Sequence, residues 1–121
     1  AAVILETMQA KRAKMRADLS RRLQGKADLT FEVQVFAIGD EIALAAIPGE
    51  PFVETGLQIK QQSPVKHTLF SGYSNLGWAY IPVANAYPKG GYEVEITPFS
   101  PDAAGIIVNE TLTLLAELAR S

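Results

Sequence analysis

The fold is decided by the apolar run Ile42-Ala43-Leu44-Ala45-Ala46-Ile47, which ends at Pro48-Gly49-Glu50-Pro51. Six consecutive apolar residues bounded by turn residues are typical of a short strand that is buried on both faces. A strand of that kind lies in the middle of a sheet. We therefore predict a central strand at residues 42–47, with a tight turn directly after it.

The residues before this run alternate in polarity. Phe31, Val33 and Val35 are apolar, and the residues between them are polar, which predicts a strand with one wet face. Gly39-Asp40 lies between the two strands and is suited to a two-residue hairpin turn of type II′, since that turn prefers Gly first.

The residues after the run predict further short elements. A second amphipathic helix extends from about Phe52 to Ser63-Pro64, with Pro51 just inside its start. Residues 68–72 form a third strand, residues 83–87 a turn of helix, and residues 88–91 a turn before residues 92–96. Ser100-Pro101-Asp102 then caps a last helix with Pro at its first position. Its predicted apolar face consists of Ile107, Thr111, Leu114, Leu115 and Leu118.

The N-terminal residues have a helical pattern from about residue 2 to residue 23, and Gly25 suits its end. The predicted apolar face consists of Leu5, Met8, Met15, Leu19 and Leu23. Six basic residues also fall on this helix, and we interpret them as a solvated face of a surface helix. The chain is thus a single domain or an excerpt of one, with a leading amphipathic helix at 1–25 and an α/β portion at 31–121.

The predicted fold class is α/β, a small mixed β-sheet flanked by helices. The order is helix, strand, strand, helix, strand, irregular aromatic segment, helix. Short strands that alternate with amphipathic helices bury their apolar faces in layers of this kind.

Composition limits the possible functions of the chain. The net charge of −2 lacks the basic excess of a nucleic-acid binder, and no apolar run is long enough for a transmembrane segment. The chain has no cysteine, and its one histidine is His67, so it holds neither a thiolate zinc site nor a two-histidine metal site of its own. We interpret His67 itself as a loop histidine without a catalytic role.

Two places in the sequence could carry chemistry. Glu50 follows the central strand, where ligands collect in open α/β sheets, and its carboxylate could bind a metal or transfer a proton. It could equally serve only to stabilise the start of the helix. The second place is the segment 71–92, which contains all four tyrosines and the only tryptophan, Trp78. Such rings form either a pocket wall or a protein interface, and composition does not separate the two.

At these two places the sequence resembles the neutral/alkaline (non-lysosomal) ceramidase family, in the C-terminal part of its catalytic region. The matching residues are Ile47-Pro48-Gly49-Glu50 with Gly56, then Ser71-Gly72-Tyr73-Ser74-Asn75, Trp78-Ala79-Tyr80-Ile81, Tyr87, Tyr92-Glu93 and Thr97. Their order and spacing agree with the family pattern from about Val35 to Leu118. The stretch from Thr55 to Lys60 departs from it, because the ceramidases commonly have an Arg pair there. The chain therefore resembles ceramidase-like bacterial proteins of unassigned specificity.

The resemblance implies a zinc-dependent amidohydrolase that cleaves the amide bond of N-acyl sphingoid-type lipids or a related amide. Carried over to this sequence, Glu50 and Tyr80 would be zinc ligands, and Tyr92 would polarise the amide carbonyl. Zn²⁺ accepts N and O ligands and lowers the pKa of a bound water to about 7, so this ligand set suits amide hydrolysis.

The resemblance also implies partners. Two histidine ligands are expected from upstream sequence of the same polypeptide, and the lipid amide is the expected substrate. The chain begins with Ala rather than Met, and we expect it to be part of a longer chain and inactive alone. Members of the family often act outside the cytoplasm, which would suit a secreted or periplasmic protein.

An alternative function remains open from the residues themselves. The chain could be a non-catalytic α/β module that binds a partner chain through the aromatic segment 71–92.

Overall fold

A computed structural model describes residues 2–22, 30–75 and 79–121. Its helices and strands follow one another in this order: α1 (Ala2–Arg22), β1 (Gln34–Ile38), β2 (Ile42–Ala46), β3 (Glu50–Pro51), α2 (Val53–Gln62), β4 (His67–Ser71), β5 (Tyr80–Ile81), a 3₁₀ helix (Ala84–Lys89), α3 (Tyr92–Ile96) and α4 (Ala103–Arg120). The sequence predictions also involve Leu23, Gly25 and Trp78. These three residues lie outside the described part of the chain.

The main sheet contains β1, β2 and β4, with β2 in the centre. β2 pairs with β1 in antiparallel and with β4 in parallel orientation. The parallel pair is joined by a crossover through α2, since parallel neighbours cannot be joined by a tight turn. The predicted class, a small mixed sheet flanked by helices, is therefore confirmed.

The core lies between this sheet and helices α2 and α4. Ala43 and Ala45 of β2 are fully buried against Ile59 of α2 and against Val108 and Leu115 of α4. The alanines lack long side chains, so the two helices can pack close to the sheet. The predicted apolar face of the last helix is confirmed at Ile107, Thr111 and Leu115, which are buried.

Several boundaries and turns differ from prediction. β1 begins at Gln34 rather than near Phe31. Ile38 pairs with Ile42, so three residues rather than two connect β1 to β2. Pro51 lies in β3 and not inside α2, because the amides of Glu50 and Phe52 on either side of it donate hydrogen bonds to β5 and its approach. α4 begins at Ala103, with Asp102 rather than Ser100 at the N-cap position, since residues 101–102 form a turn.

Two predictions of burial are wrong in part. Met8 and Met15 of α1 are exposed, so the predicted apolar face of this helix is not buried there, because α1 packs mainly on the short helix α3. Ile42 and Leu44 of β2 are only half-buried, because both packed helices lie on the other face of the sheet. Among the described residues no helix is long and apolar enough to cross a membrane.

Thr55 in α2 has a buried hydroxyl with no hydrogen-bond partner in the described part of the chain. A buried hydroxyl without a partner costs roughly 1–3 kcal/mol. We therefore expect Thr55→Val, which keeps the shape and removes the hydroxyl, to raise the free energy of unfolding by about 1 kcal/mol in urea titration.

Thr111→Val is the matched control for that substitution. Thr111 is equally buried, but its hydroxyl donates to the carbonyl oxygen of Ile107 at 2.7 Å. Its replacement should therefore leave stability unchanged or lower it. If the Thr55→Val protein is no more stable than the Thr111→Val protein, the conclusion that the Thr55 hydroxyl lacks a partner is contradicted.

Candidate functional site

The candidate site is built on a second, two-stranded sheet that joins β3 to β5 in parallel. Glu50 and Tyr80 are direct partners in this pairing. The Glu50 amide donates to the carbonyl oxygen of Ala79 at 2.8 Å, and the Phe52 amide donates to that of Ile81 at 3.3 Å. Partner residues in register project from the same face of a sheet. The two residues proposed as ligands, thirty positions apart in sequence, are therefore neighbours.

Gly49 makes this pairing possible. Its φ is +73°, in the left-handed region, where a side chain is strained. A Cβ atom at this position would lie 2.8 Å from the carbonyl oxygen of Ala79 and 3.1 Å from Cδ1 of Ile81. The Pro48-Gly49 turn thus lets β5 approach β3 closely enough to place Tyr80 beside Glu50.

The loop after β4 closes over the same turn. The Tyr73 amide donates to the carbonyl oxygen of Gly49 at 2.8 Å, and the Ser74 amide donates to that of Ile47 at 3.1 Å. Tyr73 and Asn75 have positive φ values of 54° and 67°, which are uncommon for residues other than Gly. Strained backbone of this kind clusters at functional sites, so the loop belongs to the candidate site.

Tyr80 is half-buried between charged and aromatic neighbours. Its backbone carbonyl oxygen accepts a hydrogen bond from Oγ1 of Thr97 at 2.7 Å, which fixes β5 against the segment after α3. Burial, together with the nearby Glu50, Tyr92 and Glu93, raises the pKa of the Tyr80 hydroxyl above its ordinary value of 10. Without a cation beside it, this phenol therefore keeps its proton at neutral pH.

Tyr92 opens α3 and faces Tyr80. The two ring centroids are 6.0 Å apart with an edge-to-face angle of 74°. The Arg12 guanidinium of α1 lies 5.6 Å from the centroid of the Tyr92 ring, and it also pairs with the Glu95 carboxylate. Nε of Arg16 donates to the Glu95 carbonyl oxygen at 2.8 Å. These contacts from α1 orient α3, and the sequence analysis did not anticipate them.

The other tyrosines have different surroundings. The Tyr87 hydroxyl donates to the carbonyl oxygen of Phe99 at 2.7 Å, and burial raises the pKa of this hydroxyl. Tyr87 therefore ties the 3₁₀ helix to the start of α4. Tyr73 and His67 have exposed side chains, and neither side chain forms a hydrogen bond with Glu50 among the described residues, although the Tyr73 backbone lies against Gly49.

Among residues 2–22, 30–75 and 79–121, no cluster of three or more His, Asp or Glu residues could hold a metal ion. A cavity of about 570 Å³ lies beside the start of α4, lined in part by Phe31, Phe99 and Ile106, and none of Glu50, Tyr80 and Tyr92 borders it. Glu50 and Tyr80 therefore lie together outside this cavity.

Comparison with known proteins finds similarity in structure only. No protein-family model and no curated protein sequence matches the chain. The crystal structure of neutral ceramidase from Pseudomonas aeruginosa matches 73% of this chain and 15% of that chain, with a TM-score of 0.66 and 23% identity. A ceramidase structure described as complexed with C2 matches the same shares, with a TM-score of 0.65 and 23% identity.

The chain thus corresponds to about 15% of the length of the ceramidases it matches. The chain shares the fold of part of bacterial neutral ceramidase.

Proposed function

We propose that this chain supplies two oxygen ligands, Glu50 and Tyr80, to a zinc site in a ceramidase-like amidohydrolase. The substrate would be an N-acyl sphingoid-type lipid or a related amide. The observation that carries this proposal is the parallel pairing of Glu50 with Tyr80 in β3 and β5. Two residues with metal-binding oxygens, distant in sequence, are partners in a two-stranded sheet, and the next residue of β5, Ile81, anchors that sheet in a core cluster with Ile47 and Ile107.

The chemistry of these donors fits a divalent cation. A carboxylate and a phenol lie side by side, and the negative charge of Glu50 disfavours ionisation of Tyr80. A cation between them would satisfy both oxygens and favour loss of the phenolic proton, as metal binding does for its ligands. Zinc accepts such ligands together with histidine nitrogen, and when bound it lowers the pKa of a water to about 7.

Tyr92 would act on the substrate rather than on the metal. Its ring packs edge-on against Tyr80, and its hydroxyl donates to the sulfur of Met15 at 3.8 Å, a weak acceptor that the oxygen of an amide carbonyl would replace. Negative charge develops on that oxygen during attack on an amide, and a positioned donor stabilises it. Arg12 would hold Tyr92 in place through its ring contact and its pairing with Glu95.

The remaining ligands are proposed to come from other parts of the same polypeptide. Two ligands fall short of the three protein ligands that are usual in a catalytic zinc site, and two histidines would bring the total with Glu50 and Tyr80 to four. We therefore expect the 121 residues alone to retain little or no zinc after dialysis and to be inactive.

The test is zinc content and amide hydrolysis in the complete natural polypeptide, with and without Glu50→Gln. Gln keeps the size of the side chain and removes its charge, so zinc per protein should fall about tenfold or more, and hydrolysis of an N-acyl sphingosine should be lost. Glu54→Gln is the matched control, because Glu54 is exposed in the first turn of α2 and should change neither quantity. Undiminished zinc and activity in Glu50→Gln would refute the ligand role.

The alternative, a module that binds a partner chain through residues 71–92, predicts a different result. Glu50→Gln would then leave function intact, whereas Trp78→Ala or Tyr80→Phe would weaken association. Exposure of Tyr73 is the observation that favours this alternative. The module would be favoured over the zinc enzyme if the protein held no zinc and a partner co-purified with it. Trp78→Ala should then abolish that co-purification.

A further inference from the structure

One face of the main sheet is apolar and has no helix packed on it in the described part of the chain. The strand register places Phe36, Leu44 and Leu69 in one row across β1, β2 and β4, and Ile38 and Ile42 in the next row. We call the surface formed by these five residues the bare face.

The helices cover only the opposite face. Val35 of β1, Ala43 and Ala45 of β2 and Phe70 of β4 alternate with the residues of the bare face, and these four pack in the core formed with α2 and α4. On the bare face, Phe36 is 50% exposed, Ile38 61% and Leu69 52%. A row of large apolar side chains exposed together on a sheet is typical of a surface that another layer or a partner covers.

The chemistry of the bare face limits its occupant. The residues that continue its rows are Gln34, Ala46, His67 and Ser71, so the rows themselves carry no Asp, Glu, Lys or Arg. Glu32, whose carboxylate accepts a hydrogen bond from Nε2 of Gln34 at 2.5 Å, lies beyond the end of β1. A charged peptide or a nucleic acid would find no complementary group here. A flat, uncharged, apolar layer such as the face of another sheet fits, since sheets pack face to face about 10 Å apart.

Size argues against a second copy of this chain as the occupant. Three strands spaced about 4.8 Å apart, with five residues at about 3.3 Å each, give a face of roughly 10 by 17 Å. This flat footprint of about 170 Å² is small beside that of an interface that buries about 800 Å² of accessible surface per partner. A layer within the same polypeptide needs much less area, because tethering gives a high effective concentration.

The size of the matched ceramidases leaves room for such a layer. In the ceramidase structures the shared fold occupies 15% of the chain, so most of the polypeptide lies outside it. We propose that the bare face is covered by an apolar sheet layer of the same polypeptide, which packs on Phe36, Leu44 and Leu69. This proposal rests on the proposed function in one respect only, since both take the chain to be part of a longer polypeptide.

Thiol reactivity tests the proposal in the complete natural polypeptide. This chain has no cysteine, so Leu69→Cys and Leu57→Cys each add one thiol within it. Leu69 on the bare face and Leu57 on α2 are 52% and 59% exposed, so the two form a matched pair. We expect the Leu69→Cys thiol to react with a maleimide at least about tenfold more slowly than the Leu57→Cys thiol, with peptide mass locating the label. In urea the two rates should be equal.

A second variant and a dilution series decide among the outcomes. Phe36→Cys should be protected as Leu69→Cys is, and protection should not change over a hundredfold dilution. Equal reactivity of the Leu69→Cys and Leu57→Cys thiols would overturn the proposal, as would protection that dilution removes, since that would indicate a second copy. A natural polypeptide that holds no further sheet would overturn it as well. The measurement needs neither zinc nor substrate, so a failed zinc test would leave this result independent.

Discussion

Gly49→Ala is expected to destabilise the protein by about 3 kcal/mol or more, a large part of the 5–15 kcal/mol that stabilises a typical domain. Two costs add at this position. An alanine at φ +73° is strained by roughly 1–2 kcal/mol. Its Cβ would also lie 2.8 Å from the Ala79 carbonyl oxygen, which accepts the hydrogen bond from the Glu50 amide. Relief of that overlap requires β5 to move away from β3.

Gly39→Ala separates these two costs. Gly39 also has a positive φ, +63°, but a Cβ added there has no heavy atom within 4 Å. Its replacement should therefore cost only the backbone strain, about 1 kcal/mol. Urea unfolding of both variants measures the difference, which we assign to the close approach of β5. Equal destabilisation by the two substitutions would show that this approach contributes nothing.

The sequence predicts the main sheet and its helices because their signals are local. The apolar run at residues 42–47 identifies the central strand, and the spacing of Ile107, Thr111 and Leu115 identifies the buried face of α4. Errors arise where a boundary depends on tertiary pairing. Pro51 is suited to the start of a helix, but pairing with Ile81 draws it into β3 instead.

The place of Glu50 after the central strand marks it as a candidate, but its association with Tyr80 could be predicted only through the family resemblance. β3 and β5 have two residues each, and two residues have no measurable periodicity. Nothing in the local sequence therefore indicates that Glu50 and Tyr80 are partners. The contact of Arg12 with Tyr92 is equally hidden, because it joins α1 to α3 across eighty residues (92 − 12) and depends on how the helices pack. The glycine at position 49 was the one local signal, a turn residue directly before a carboxylate.

The bare face of the main sheet shows how the sequence and the structure complement each other. An unbroken apolar strand predicts burial on both faces, and the described residues bury only the face with Ala43 and Ala45. The burial that the apolar pattern predicts for Ile42 and Leu44 is therefore reached only if a further layer covers the bare face. The disagreement between pattern and burial is itself the evidence for the inferred layer.

Tyr92→Phe and Tyr80→Phe are expected to inactivate the complete polypeptide by different routes. If Tyr92 donates a hydrogen bond to the amide carbonyl oxygen, its loss should lower kcat by about 10²–10³-fold, as loss of one such donor does in other hydrolases. Zinc content should stay unchanged, because Tyr92 is not a proposed ligand. Tyr80→Phe removes a proposed ligand, so zinc content and activity should fall together.

Metal analysis and steady-state kinetics on the same preparations separate the two roles. Tyr87→Phe is the control, since the Tyr87 hydroxyl binds the Phe99 carbonyl oxygen and has no proposed part in the chemistry. It should lower stability while zinc content and kcat of the folded protein remain unchanged. If Tyr92→Phe loses zinc, or if Tyr80→Phe keeps full zinc occupancy, the roles assigned to the two tyrosines are wrong. Their ring centroids are only 6.0 Å apart, so the separate loss of zinc and of kcat is the result that assigns each tyrosine its role.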